Sequence, residues 1–124
     1  MSVEGYKANI VESSWEMSKF ERVAYKSIED CKQLDEVPDD GLEIKVCNYY
    51  ILDIHNEMSD NKDYTKIILI DELGDKYITG SQTFINSFLA IYEELKDEDF
   101  SIKVFKRESN NYKGKKFITC SVII

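Results

Sequence analysis

One proline and five glycines among 124 residues leave no room for a long flexible linker, and no internal repeat or low-complexity run stands out. The longest aliphatic run, Ile67 to Ile70, is four residues. That is far below the roughly 20 needed to cross a bilayer. The start, MSVEGYKANIVE, has no basic stretch leading into an apolar one, so no secretory signal is expected. The three cysteines (Cys31, Cys47 and Cys120) are odd in number and widely spaced. Such spacing argues against a disulfide framework and against a zinc site built on close cysteine pairs. The expected location is a reducing cytoplasm, with no membrane partner.

Catalytic signatures are equally scarce. YKGKK is no phosphate-binding loop, because no upstream glycine has the right spacing and no Ser or Thr follows the lysine. With one histidine, His55, any Ser/His or Cys/His couple would depend on it, and no nucleophile motif lies nearby. Asp53, His55 and Glu57 alternate along one stretch and could hold a divalent ion, but sets of this kind are mostly solvated surface. No metal, no cofactor and no enzymatic activity are expected.

What is present describes one globular domain. Hydrophobic residues make up 43% and aromatics 12%, too rich for a disordered acidic chain and enough for a single core. The charge is unevenly spread. The chain holds 16 Lys+Arg against 24 Asp+Glu, a net −8. From Ser101 onward, however, six cations (Lys103, Lys106, Arg107, Lys113, Lys115 and Lys116) face a single acid, Glu108. That segment is +5 and the first 100 residues are −13. An acidic body repels phosphate, so any nucleic-acid binding must be local to this basic stretch.

The element pattern is clearest after residue 43. Ile44 to Met58, dense in β-branched and aromatic residues, predicts a long strand. The turn residues of DNKD, Asp60 to Asp63, separate it from a second strand, Thr65 to Glu72, apolar on both faces at its centre. A tight turn at LGDK leads into a short third strand, Tyr77 to Gly80. Ser81 caps a helix whose Phe84, Ile85, Phe88, Leu89, Tyr92 and Leu95 form one stripe. Ser101 to Glu108 and Lys115 to Ile123 or Ile124 predict a final hairpin around SNNYKG. Residues 1–43 admit two readings. Ser18 and Glu21 suit a capping box before a short helix containing Phe20, Val23 and Ala24. Alternatively, VAYKSIEDCKQLDEV is a strand-rich segment.

Three strands, a helix and a final pair give the chain order of the OB-fold, a five-stranded Greek-key barrel. The expectation is therefore a mainly-β chain with one or two helices. Residues 44–124 would form the barrel, and residues 1–43 an extension packed on it or exchanged with a neighbour. In that fold the loop between the last two strands grips oligonucleotides. Alternation puts Ile102 and Val104 on one face and Lys103, Phe105 and Arg107 on the other. A ring between two cations suits single-strand binding: a base stacks on the ring while the cations track phosphates. Tyr112, Lys113, Lys115 and Lys116 extend the candidate set through the loop. Tyr49 and Tyr77, on neighbouring strands of undecided parity, complete it. The plainer alternative is that these lysines only solubilise a hairpin and protect an edge.

Four stretches also resemble a known group: YKANI, LDIHNEMSDNKDYT, YITGSQTFINSF and IKVFKRESNNYKGKKFITCSVI. Their wording is similar to that of small single-stranded DNA-binding proteins from phages and conjugative elements of Gram-positive bacteria. The resemblance implies an OB-type barrel that coats single-stranded DNA; the residues themselves leave DNA against RNA open. The resemblance also implies a role in replication or transfer of the element. Separately, an N-terminal segment reaching a neighbouring subunit would give a homo-oligomer, either a dimer or a strand-coating array. Many bacterial single-strand binders end in a flexible acidic tail. Here the ending FITCSVII predicts a buried last strand, and recruitment of partners through that end is not expected.

Overall fold

The chain's densest β-branched and aromatic segment becomes its longest strand. In the computed structural model, which describes residues 5–38, 40–108 and 116–124, this is β3 (Leu42–Asn56). Before it come β1 (Tyr6–Ser13), α1 (Lys19–Ala24), β2 (Lys32–Gln33) and a 3₁₀ turn (Leu34–Glu36). After it come β4 (Asp63–Asp71), β5 (Lys76–Thr79), α2 (Gln82–Leu95), β6 (Phe100–Glu108) and β7 (Lys116–Val122). The fold is mainly β, with two α-helices and one curled, open sheet. Among the described residues, no helix is long and apolar enough to cross a membrane.

Strand count and order differ from the five-stranded barrel expected. Seven strands share the sheet among the described residues, in the order β2-β5-β4-β3-β6-β7, with β1 paired to β3. The length of β3 makes this possible. One edge pairs with β4 over Val46 to His55. The other edge is divided, with Leu42 to Val46 facing β6 and Tyr50 to Asn56 facing β1. The two added strands come from residues 1–43. β2 is only two residues long and β1 carries a bulge between Ile10 and Glu12, so neither shows a clean alternation in sequence.

Each face of the sheet carries its own core. On one side α2 lays Phe84, Ile85 and Phe88 over Ile44, Tyr49, Ile51, Ile67 and Leu69. On the other, the N-terminal segment covers Tyr50, Leu52, Ile54, Ile68 and Ile78, with Trp15 and Tyr25 packed against them. β4 supplies both, which is why its centre is apolar throughout. Ile67, Ile68 and Leu69 are all 0% exposed, and burying each contributes about 1.5–3 kcal/mol. Ser18 caps α1 as predicted: its side chain accepts from the Glu21 N–H at 3.1 Å, and Glu21 returns the bond to the Ser18 N–H at 3.0 Å. Phe20 and Val23 nonetheless point outward, 88% and 74% exposed.

A bulge in β3 decides which tyrosine faces which core. The pairing with β4 slips between Val46 and Asn48, leaving Cys47 as an extra, exposed residue. Ile44 and Val46 therefore share a core with Tyr49 and Ile51, while Tyr50 and Leu52 go to the opposite one. The chain's ending also departs from expectation. Ile118 and Cys120 of β7 are buried, but Val122, Ile123 and Ile124 are exposed, and β7 is the terminal strand of the sheet.

Candidate nucleic-acid interface

The alternation read from β6 is the one observed. Ile102 and Val104 are 0% exposed, inside the α2-side core. Lys103, Phe105 and Arg107 occupy the other face, with the lysine and arginine exposed and the ring half-buried. The Arg107 guanidinium carbon lies 5.9 Å from the centre of the Phe105 ring, within cation–π range. Among the described residues neither Lys103 nor Arg107 is held in an ion pair. Both charged ends are exposed.

The backbone around this face is fitted to it. Gly41 adopts φ +90°, and a Cβ there would lie 2.8 Å from Lys103 Cε and 3.0 Å from the Val104 carbonyl oxygen. A side chain at that position would push the Lys103 stem aside and strain the backbone. Glu43 stands directly across from Lys103 on β3 and Ser121 across from it on β7. A carboxylate at that spacing offsets part of the lysine's charge.

Register adds a residue that the sequence did not single out. Arg107 pairs with Phe117 on β7, so Phe117 shares a face with Arg107 and lies diagonal to Phe105. It is half-buried, like Phe105. By register two rings and two cations fall on one face of the hairpin, with the buried Thr119 between the rings, and Phe117 also borders the cavity lined by Lys106 and Lys116. The signal was available only through pairing, since finding Phe117 requires knowing how β7 aligns with β6.

Other candidates lie elsewhere. Tyr49 is 5% exposed; its ring packs on Phe88 and Tyr92, and its hydroxyl donates to Glu12 Oε2 at 2.6 Å. Burial, then that carboxylate, pushes its pKa well above the usual phenol range. Tyr77 is 9% exposed, with its hydroxyl 3.3 Å from Asp71 Oδ2 and Lys32 Nζ 5.4 Å from its ring centre. Neither joins the Lys103–Phe105–Arg107 surface, because the bulge turns Tyr49 inward and Tyr77 sits on β5, across the sheet. Lys116 opens β7 and is exposed. Tyr112, Lys113 and Lys115 lie outside the described residues.

The acidic strand face carries no metal-like geometry. His55 Nδ1 is 2.7 Å from Asp63 Oδ1 and Nε2 is 2.6 Å from Glu57 Oε1, so both ring nitrogens are engaged by carboxylates. Among the described residues no three His, Cys, Asp or Glu side chains converge as a metal site would require. No family model, no curated protein and no solved structure matches the chain.

Proposed function

We propose that the protein binds single-stranded nucleic acid, DNA foremost, with little sequence preference and without catalysing a reaction. The observation that carries this reading is the outer face of the β6–β7 hairpin. There Lys103 and Arg107 stand beside Phe105 and Phe117, backed by a core that fixes their direction. Cations track the phosphates and rings take the bases, a combination that tolerates any sequence. β3 to β7 support an OB-type reading of the fold: a three-strand meander, α2, then a hairpin, in an open sheet. Coating of a strand by adjacent copies, and a role in replication or transfer of a phage or other mobile element, rest on the resemblance in wording.

A second reading is favoured by one observation, the −13 carried by residues 1–100. It makes the protein an acidic inhibitor that presents carboxylates to a nucleic-acid-binding host protein. Titration of fluorescent oligo-dT and of duplex DNA, at low and moderate salt, separates the two. Tight, salt-sensitive oligo-dT binding with weaker duplex binding is expected. Absence of oligo-dT binding at low salt overturns the first reading and leaves the second.

A further inference from the structure

α1 turns two of its apolar side chains away from both cores. Phe20 and Val23, one turn apart, are exposed, while Trp15, Met17 and Tyr25 on either side of them in the chain pack against the sheet. Cations flank the exposed pair: Lys19 and Arg22 within the helix and Lys26 just after it, all exposed. Among the described residues no ion pair holds any of the three. Glu21, the one acid of the helix, is turned back, accepting from the Ser18 N–H at 3.0 Å and from the Trp15 indole N–H at 3.2 Å. The helix thus presents an apolar knob with a basic rim, on a body whose first 100 residues carry −13.

A hollow of matching chemistry lies on the other side of the sheet. A cleft of about 770 Å³ opens where the end of α2 meets the start of β6 and the last residues of β7. Leu95, Phe100, Val122 and Ile123 supply its apolar lining, and the exposed Glu98 and Asp99 supply carboxylates. Lys45 also lines it, with its charge held by Glu72 at 3.6 Å. The Ile123 N–H donates to the Ser101 carbonyl oxygen at 2.9 Å, which fixes this stretch beside β6. The volume falls within the roughly 300–1,000 Å³ typical of sites that enclose a ligand, so a phenylalanine ring and a valine side chain have room.

The two surfaces complement each other, apolar knob to apolar hollow and cations to carboxylates. They cannot meet within one copy, because α1 sits on the face covered by the N-terminal segment and the cleft on the face covered by α2. β1 stays paired with β3 of its own chain, which leaves α1 as the part of that segment able to reach a neighbour. We propose that α1 of one copy docks Phe20 and Val23 into the α2–β7 cleft of the next, joining copies head to tail. Different patches meet at such a contact, so it continues into a chain unless the copies close as a ring. Opposite charges at the rim set the orientation. Two side chains and a rim make a small interface, and association is therefore weak and concentration-dependent. The contact does not depend on the single-strand reading above.

Sedimentation velocity on the full chain, without nucleic acid, provides the test, each variant first being checked for an unchanged thermal midpoint. The native protein should form species larger than a dimer as its concentration rises, and salt should weaken them by screening the rim. Phe20→Asp and Ile123→Asp should each weaken association by about tenfold or more. An equimolar mixture of the two should form heterodimers and nothing larger, because the first keeps its cleft and the second its knob. Arg22→Glu/Lys26→Glu replaces Phe20→Asp, and Glu98→Lys replaces Ile123→Asp, should either fail to fold. A native protein that stays monomeric at every concentration overturns the proposal. One that stops at a dimer overturns it in favour of a symmetric pairing. Intact self-association in Phe20→Asp, together with weakened oligo-dT binding, overturns it in favour of a single strand lying on α1.

Discussion

Phe105 owes its position to its neighbours: Val104 is fully buried beside it and Arg107 lies over its ring. Replacing it with alanine should remove a stacking surface and no charge. Binding to oligo-dT is then expected to weaken by about 1–3 kcal/mol with an unchanged salt slope. Loss of the slope as well would mean that the ring only props up the cations. A different residue-scale effect belongs to His55. Hydrogen bonds to Asp63 and then to Glu57 raise its pKa above the ordinary 6.5. Lys62, paired with Glu57 at 3.2 Å, and Lys7, opposite His55 on β1, are the cations nearby. A raised folded-state pKa adds stability that is fully present below about 6.5 and is lost as pH rises through the higher folded value. Thermal midpoints should therefore decline across that interval in the native chain and stay flatter in His55→Gln. Identical profiles would remove the ion-pair role. Glu57 acts at the other end, its pKa lowered chiefly by the His55 hydrogen bond, so its share is lost as pH falls below about 4.5.

Among the elements, β3 organises both cores through a single extra residue. Deep burial brings a cost at Tyr50, which is 0% exposed and whose hydroxyl finds no partner among the described residues. Its ring packs with those of Trp15 and Tyr25. Tyr50→Phe keeps the packing and removes the orphan, so stability to denaturant should rise by about 1 kcal/mol. A marked fall would reveal a hydrogen bond to that hydroxyl. The same strand marks the boundary of what its sequence discloses. The alternation of Ile102, Lys103, Val104, Phe105 and Arg107 is unbroken, and both strand and exposed face were legible from it. The stripe Phe84, Ile85 and Phe88 gave α2, and Ser81 its start. Tyr49 and Tyr50 could not be assigned, because the bulge at Cys47 shifts parity by one residue, and nothing in the types of residues 46 to 48 announces it. β1 and β2 were obscured by a bulge and by brevity, and Phe117 by its dependence on cross-strand register.

The whole molecule sets +5 in the last 24 residues against −13 in the first 100. At physiological salt the screening length is about 8 Å, so a strand lying on the hairpin feels the nearby lysines more than the distant carboxylates. Below that salt the acidic body reaches further and should weaken the advantage of the patch, while phosphate contacts strengthen. The two trends oppose one another, and the slope of affinity against salt reports which one dominates. The most direct measurement is the oligo-dT dissociation constant as a function of salt, for the native chain and for Lys103→Gln/Arg107→Gln. The native protein should lose affinity steadily with salt, and the variant should bind more weakly with a slope shallower by about 1.4, two phosphates at about 0.7 each. Equal slopes and equal affinities in the two proteins would contradict the assignment of this face as the strand-binding surface.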